Sequence, residues 1–305
     1  MEQSTVKKYE LLINDTIVLG GITLFRIKAL ISFGNVKKGE LGGYVEKEGN
    51  LCHSGNAWVY DNAKVSGNAK VYDNAKVSGN ATVYGDATVS GNAKVYDNAE
   101  VSRDATVSGY ATVYGDATVS GDATVSGNAE VYDKTLVSGD ATVTDNAKVY
   151  GYALVTGNAK VSGNARVYSR TEVYGDAKVS GNAEVTGDAW VFDDTWVTGN
   201  AKVSGYALVY DNALVTDIAK VYGNARVSGY AKISGIARVT AIAEVSGNAE
   251  VSGNAKVTGN AKVTGNALVT GDARVSGYAE VYGYAKVTGN ALVTGDARVY
   301  RRQPK

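Results

Sequence analysis

A six-residue repeat dominates the sequence, and the stretch from Val65 to Lys76 shows it twice: Val-Ser-Gly-Asn-Ala-Lys, then Val-Tyr-Asp-Asn-Ala-Lys. Valine recurs every sixth residue from 59 to 299, and Ile233 is the one substitute among these 41 positions. Alanine stands two residues before each of them, with threonine instead at 135, 171 and 195. No insertion or deletion interrupts the frame. A fixed short period of this kind predicts a stacked repeat architecture.

Each hexapeptide reads as one short strand followed by one corner. In Ala-x-Val-x the side chains alternate, so alanine and valine share one side and the two variable residues share the other. The Gly-Asn or Gly-Asp pair between strands is typical of tight turns, because these residues tolerate positive φ. One hexapeptide cannot bury its own valine, so the units must stack on one another.

The residues that follow the valines show how many hexapeptides make one coil. Aromatic residues recur there every eighteen positions, in two runs: Tyr96, Tyr114, Tyr132, Tyr150 and Tyr168, and then Tyr174, Phe192 and Tyr210. Like residues at this interval stack on each other in adjacent coils. We therefore expect an all-β, single-stranded parallel β-helix with eighteen residues per coil, a triangular cross-section and roughly fourteen coils.

The unit Val65-Ser66-Gly67-Asn68-Ala69-Lys70 resembles the hexapeptide-repeat family of left-handed parallel β-helices. Its pattern is an aliphatic residue, a small or acidic one, two variable ones, a small one and another variable one. The resemblance covers about four fifths of the chain. It implies a left-handed coil, whereas the general rule for parallel crossovers favours the right hand.

The two ends of the chain depart from the repeat. Residues 1–42 contain two strand-like runs, 9–13 and 22–27, with turn signals at Asn14-Asp15 and Gly20-Gly21, and they predict a small β-hairpin cap. The β-helix is expected over residues 43–300, with Gly43, Gly49 and Gly55 in the corner frame and His53 in the valine frame. Residues 301–305 form a charged tail.

The segment that joins cap and repeat, Leu41-Gly42-Gly43-Tyr44-Val45-Glu46, resembles a group of bacterial and phage hexapeptide-repeat proteins. Some of these are named transferases from their fold alone. The first residues, Met1-Glu2-Gln3-Ser4, do not read as a secretory signal peptide. We therefore expect a cytoplasmic protein, and a phage-encoded origin stays open.

Composition argues against several classes of partner and cofactor. The chain has 31 Lys and Arg against 31 Asp and Glu, which is not the basic balance of a nucleic-acid-binding protein. Its apolar runs are too short to span a membrane as a helix. Cys52 is the one cysteine and His53 the one histidine, so a cysteine- or histidine-based metal site within one chain is not expected. We predict no metal, no cofactor, and neither nucleic acid nor membrane as a partner.

The family resemblance raises the question of acyl transfer. The family includes trimeric acyltransferases that use a histidine as general base between subunits, with acyl-CoA bound along the prism. In this chain no histidine follows His53, and no loop interrupts the repeat. We therefore expect no catalytic residues, and enzyme activity is disfavoured although not excluded. The resemblance also implies self-association, as a trimer.

Large apolar residues at outward positions suggest a binding surface. They occupy neighbouring outer columns: Trp190, Phe192, Trp196, Leu208, Tyr210 and Leu214. Exposed apolar patches of this kind mark partner surfaces. Bulky residues also replace asparagine at three corners, Lys134, Tyr152 and Arg170, where positive φ would be costly without compensation. We interpret these nine residues as one partner-binding surface between Lys134 and Leu214.

The sequence thus predicts a rigid, non-enzymatic β-solenoid that acts as a structural scaffold or protein-interaction surface and self-associates. One alternative is an acyltransferase-like enzyme. A second is an ice- or glycan-binding surface, because Thr88, Thr106, Thr124 and Thr142 form a regular array with Ser or Thr two residues later. That array resembles the ice-binding face of certain β-solenoid antifreeze proteins.

Overall fold

The computed structural model describes residues 6–303, in which the regular structure consists of β-strands and one turn of 3-10 helix. The chain divides into two compact units, Met1–Gly151 and Tyr152–Lys305. The predicted all-β parallel solenoid with three hexapeptides per coil is confirmed, whereas its left hand stays a prediction from the resemblance. Pro304 and Lys305 of the predicted tail, and the first five residues, lie outside the described residues.

An antiparallel hairpin begins the first unit. Strand β1 (Tyr9–Leu19) pairs with β2 (Ile22–Ala29) across the Gly20-Gly21 turn, and β2 then pairs with β3 (Leu41–Val45). The predicted hairpin is therefore confirmed. Asn14-Asp15 does not form a turn, because β1 continues through it with a register shift between Leu12 and Thr16. The 3-10 turn, Glu48–Asn50, follows β3.

The coils of the first unit consist of sixteen strands of two residues each. These strands, β4 to β19, are Trp58–Val59, Lys64–Val65, Lys70–Val71, Lys76–Val77, Thr82–Val83, Thr88–Val89, Lys94–Val95, Glu100–Val101, Thr106–Val107, Thr112–Val113, Thr118–Val119, Thr124–Val125, Glu130–Val131, Leu136–Val137, Thr142–Val143 and Lys148–Val149. Each pairs in parallel with the strand eighteen residues away, as Lys94–Val95 does with Thr112–Val113. Three sheets result, one for each hexapeptide of a coil.

The entry into the first coil differs from the predicted frame. Val45 lies opposite Val65, and Leu51 lies opposite Val71, so twenty residues rather than eighteen separate the partners here. Leu51 therefore fills the valine position that His53 was expected to fill. Gly43 lies in an alanine position rather than at a corner, where an added Cβ would approach the Ala63 carbonyl oxygen to 2.5 Å. The two extra residues lie between Leu51 and Val59, because Val59 pairs with Val77 at the regular spacing of eighteen.

The second unit contains twenty-five strands in the same frame. These strands, β20 to β44, are Leu154–Val155, Lys160–Val161, Arg166–Val167, Glu172–Val173, Lys178–Val179, Glu184–Val185, Trp190–Val191, Trp196–Val197, Lys202–Val203, Leu208–Val209, Leu214–Val215, Lys220–Val221, Arg226–Val227, Lys232–Ile233, Arg238–Val239, Glu244–Val245, Glu250–Val251, Lys256–Val257, Lys262–Val263, Leu268–Val269, Arg274–Val275, Glu280–Gly283, Lys286–Val287, Leu292–Val293 and Arg298–Arg301. The strands of this unit form three parallel ladders, and the outward side of each ladder is one face. We call them the Trp190 face, the Trp196 face and the Lys220 face, after one outward residue of each ladder.

The interior of both units is built from alanine and valine alone, apart from the few substitutes. These side chains are essentially fully buried from Ala57 to Ala285. The three threonines that replace alanine are buried as well, and each hydroxyl donates to the carbonyl oxygen three residues earlier, as Thr171 does to Tyr168 at 2.7 Å. The threonine is thus satisfied locally, which is why it is tolerated in an apolar interior.

The corners use their two residues differently. The first corner residue has positive φ, for example Gly67 at 65° and Asp73 at 58°, whereas the second does not. Asparagine at the second position was predicted to supply positive φ, and this is wrong. Its role is a hydrogen bond to the next coil: the Asn98 amide donates to the Asp116 carboxylate at 3.0 Å. Aspartate at the first position accepts from the backbone of the next coil, as Asp73 does from the Gly91 N–H at 3.1 Å.

Candidate partner-binding surface

On the Trp190 face of the second unit, large apolar side chains follow each other in consecutive coils. Trp190 lies opposite Leu208 in the parallel ladder. The ring of Phe192 stacks between those of Tyr174 and Tyr210, at centroid distances of 4.8 and 5.1 Å. The tight stacking holds these three rings in place, because each is supported on the side of its neighbour.

The Trp196 face continues the surface around one corner. Trp196 lies opposite Leu214, and the Lys178 ammonium lies 4.3 Å from the centroid of the Trp196 ring. Trp190 and Trp196 keep 41% and 49% of their surface exposed. Six of the nine residues predicted to bind a partner therefore lie on two adjoining faces of two consecutive coils.

A groove of about 530 Å³ runs along the edge of the Trp190 face. Its lining residues are Arg170, Glu172, Asp188, Trp190, Tyr206 and Leu208. Tyr206, 64% exposed, is the large side chain of this group that the sequence interpretation missed. A signal for it existed: like Tyr152, it is a tyrosine in the corner position that asparagine usually occupies. The groove combines an apolar floor with charges of both signs.

The irregular corner residues belong to this region only in part. Tyr152 and Arg170 lie in the second unit at the corner that also carries Asp188 and Tyr206, and Arg170 approaches Asp188 to 4.0 Å. Lys134 lies in the first unit, where its backbone N–H donates to the Gly151 carbonyl at 2.8 Å. None of the three bulky corner residues has positive φ, so the predicted backbone strain falls instead on first corner residues such as Ser169.

His53 packs against the hairpin of the first unit. Its Nδ1 accepts a hydrogen bond from the Lys8 backbone N–H at 3.1 Å, and its ring stacks on Tyr9 at 4.5 Å. Burial, together with the charges of Lys8 and Lys7, lowers the pKa of the imidazole, against the opposing effect of Glu48. A neutral imidazole that accepts at Nδ1 carries its proton on Nε2, which is then a donor rather than a base.

Two buried groups beside His53 attach the hairpin to the first coil. The Lys8 ammonium donates to the Ala57 carbonyl oxygen at 2.9 Å and lies 4.6 Å from the Phe33 ring centroid. Burial lowers the pKa of Lys8 to about 8. The Tyr9 hydroxyl lies 2.8 Å from the Glu48 carbonyl oxygen and 2.9 Å from that of Leu51, and burial raises its pKa. These contacts give the region a structural role.

A cavity of about 460 Å³ lies next to His53 in the first unit, lined among others by Glu48, Cys52, Lys70 and Asp73. Within residues 6–303, no three histidine, cysteine or acidic side chains come together in a way that could hold a metal ion. In the same part of the chain, no helix has the length and apolar character needed to cross a membrane.

The threonine array lies in register on one face of the first unit. Thr88, Thr106, Thr124 and Thr142 pair in sequence with one another. Their side chains are half-buried rather than fully exposed.

Comparison with known proteins finds similarity to the repeat in part of the chain. Residues 75–91, 111–127 and 219–235 match a family model described as YdcK beta solenoid repeat. No curated protein matches the sequence. Among solved structures, the chain is similar to the crystal structure of UDP-N-acetylglucosamine O-acyltransferase (LpxA) from Moraxella catarrhalis RH4. That similarity has a TM-score of 0.39 and 11% identity, and it covers 64% of this chain and 71% of that one.

Proposed function

We propose that this protein is a non-enzymatic scaffold whose second unit binds a second copy of the same chain. The binding surface consists of Trp190, Phe192, Trp196, Leu208, Tyr210 and Leu214, which we call the aromatic surface. The resemblance of residues 41–46 to bacterial and phage proteins favours a bacterial or phage origin, and the proposed place of action is the cytoplasm.

The observation that carries the proposal is the exposure of two tryptophans on adjoining faces of the same coil. Outward positions elsewhere in the second unit carry mostly Ser, Thr, Lys, Arg or Glu. Tryptophan and tyrosine are the residues that most often anchor protein interfaces. The flat faces of a parallel ladder suit a second copy, because the same flat surface is available on both partners.

Catalysis is disfavoured by the surroundings of His53. Its Nδ1 is used by the Lys8 backbone, its ring is stacked on Tyr9, and its pKa is lowered. A general base in acyl transfer needs a free basic nitrogen within reach of the substrate hydroxyl. His53 instead helps to hold the hairpin on the first coil.

The test replaces both exposed tryptophans in the full chain. Sedimentation velocity of the parent should give a species heavier than one chain, which has a mass of 31.8 kDa. Trp190→Ser combined with Trp196→Ser should sediment as a single chain at the same concentration, because the two main apolar anchors are gone.

The matched control replaces two other exposed apolar residues of the second unit, Ile242→Ser and Tyr278→Ser. Both side chains are about as exposed as Tyr206, but they lie at the corner between the Lys220 and Trp190 faces, two or more coils from the aromatic surface. This variant should sediment like the parent. The proposal is wrong if the tryptophan variant keeps the mass of the parent, or if the control variant dissociates equally.

A further inference from the structure

A row of like charges runs along the Lys220 face of the second unit. Five consecutive coils each contribute one cation, and the residues pair in register: Lys202, Lys220, Arg238, Lys256 and Arg274. The stacked rings of Tyr174 and Phe192 give the coil spacing as 4.8 Å. Like charges that directly face each other in a ladder repel. A row of this kind therefore calls for an explanation.

The same coils show how this protein pairs charges elsewhere. On the Trp190 face the sign alternates from coil to coil: Arg226, Glu244, Lys262, Glu280 and Arg298. Arg298 approaches Glu280 to 3.2 Å, and Lys262 approaches Glu244 to 4.0 Å. Charge compensation within the ladder is thus available to these coils, and the Lys220 face does not use it.

At one end of the row, the positive charge of Lys202 is compensated by an ion pair. Its ammonium lies 2.5 Å from the Glu184 carboxylate, which also accepts a hydrogen bond from the Tyr168 hydroxyl. The Lys202 contact is the main cause that lowers the pKa of Glu184. Within the described part of the chain, the other four cations form no ion pair. We call Lys220, Arg238, Lys256 and Arg274 the basic strip.

Arg238 in the middle of the basic strip lacks an acceptor. Its Nε is buried from solvent and forms no hydrogen bond within residues 6–303. Its ladder neighbours, Lys220 and Lys256, are cations that offer donors only. An N–H group that water does not reach and no protein acceptor satisfies is rare in folded proteins. The described residues of this face thus supply no anionic partner to the four cations of the basic strip.

The residues beside the basic strip do not supply those acceptors. The acidic corner residues closest in the ladder are already engaged: Asp217 accepts from the Gly235 N–H at 2.8 Å, and Asp272 from the Asn254 amide at 2.8 Å. The two corners that border the face carry exposed apolar side chains in several coils: Tyr206, Ile218, Ile236, Ile242 and Tyr278. A ligand here would meet cations along its centre and apolar groups along its edges.

We propose that the basic strip binds a linear acidic polysaccharide that carries one carboxylate on each sugar ring. Its extended chain advances by about the length of one ring per residue, which is close to the coil spacing, so the carboxylates that face the protein lie whole coils apart and can each reach a cation of the strip. Guanidinium and ammonium groups form their strongest hydrogen bonds with carboxylates. The apolar faces of sugar rings can pack on the tyrosine and isoleucine side chains at the edges.

A nucleic-acid duplex fits this face less well. The phosphates of one duplex strand are spaced ~3.4 Å apart along the helix axis and wind away from a straight row. The basic strip also lies on the face that the aromatic surface leaves free. Self-association through Trp190 and Trp196 would therefore leave it open to a ligand.

The test measures binding of an oligogalacturonate, long enough to span the basic strip, to the immobilised full chain by biolayer interferometry. Arg238→Gln combined with Lys256→Gln should weaken binding by about tenfold or more and reduce its salt dependence, because two of the four cations of the basic strip are lost. Arg226→Gln combined with Lys262→Gln is the matched control. It removes the same charge from the same region of the second unit, but on the Trp190 face, and should bind like the parent.

Further measurements make the assignment specific. A fully methyl-esterified galacturonan should not bind, since it keeps the rings and loses the charges. The Trp190→Ser, Trp196→Ser variant should still bind the oligogalacturonate, which separates this proposal from the proposed self-association. The proposal is overturned if the parent does not bind, if the control variant weakens equally, or if the methyl ester binds as well. Tighter binding of a single-stranded oligothymidylate, with the same sensitivity to Arg238 and Lys256, would overturn the assignment to a polysaccharide.

Discussion

On one face of the first unit, threonine follows threonine from Thr88 to Thr142, whereas the Trp196 face of the second unit runs from Lys178 through Trp196 to Leu214. The interiors behind the two faces are the same alanine and valine columns. The comparison teaches that the interior specifies the coil in both units, while the outward residues decide what each unit can recognise. Function must therefore be sought in departures from the repeat.

The largest effect should come from breaking the shared interior. Val125→Asp in the first unit and Val203→Asp in the second should each lower the free energy of unfolding by more than ~4 kcal/mol, because each buries an unpaired carboxylate. Their outward neighbours are the controls: Ser126→Asp and Ser204→Asp should change it by less than ~0.5 kcal/mol. Urea unfolding followed by circular dichroism measures both. Tolerance of the valine change in either unit would show that the interiors are not equivalent.

A smaller effect, on the pH dependence of stability, should come from Lys8 beside the hairpin of the first unit and not from the repeats. The pKa of buried Lys8 is lowered to about 8 from an unfolded value near 10.5, so between these values the unfolded chain binds more protons. Stability should therefore rise by about 2 kcal/mol from pH 8 to pH 10. Above pH 10 it should fall again, because burial raises the pKa of tyrosines such as Tyr114, to about 12, and the unfolded chain then loses protons first.

Lys8→Met provides the control for this pH dependence. It removes the buried ammonium and keeps an apolar stem, so the rise between pH 8 and pH 10 should disappear while the fall above pH 10 remains. Thermal unfolding at a series of pH values gives both curves. A rise of equal size in the Lys8→Met variant would mean that another group titrates, and the account of the hairpin would fail.

The smallest expected effect on stability tests whether the first corner residue has the same role in both units. Ala241 in the second unit and Arg103 in the first both have a φ of 61°, which is unfavourable for either residue. Ala241→Asp and Arg103→Asp should each stabilise the protein by ~1 kcal/mol, because aspartate tolerates this φ and can accept from the N–H one coil later. Ala241→Val should destabilise it. No gain from either aspartate would contradict the proposed role of Asp73 and its equivalents.

Much of the fold follows from the sequence because one period sets it. The recurrence of Tyr96, Tyr114 and Tyr132 at eighteen residues predicted the stacked rings that the structure contains. The entry into the first coil could not be predicted in the same way. The two extra residues before Val65 depend on how the hairpin packs, and packing of Lys8 and Tyr9 against that coil leaves no periodic signal in the sequence.

The candidate sites also differ in how far the sequence predicted them. The aromatic surface could be predicted, since Trp190 and Trp196 differ from the small and charged residues around them. Tyr206 was missed because corner residues were considered for backbone strain rather than for exposure. The basic strip was missed because only the overall neutrality of the chain was considered. The eighteen-residue period already places Lys220, Arg238 and Lys256 in one column, and the register confirms it. The sequence does not show that the Arg238 Nε is buried without an acceptor.

The central claim is that the second unit binds a second copy through its outward aromatic residues. The most direct test is the light-scattering mass of the parent chain over a dilution series, recorded together with tryptophan emission. The account predicts a mass above 31.8 kDa at high concentration that falls to one chain on dilution, with emission shifting to the red over the same range. A single-chain mass and unchanged emission at every concentration would contradict it.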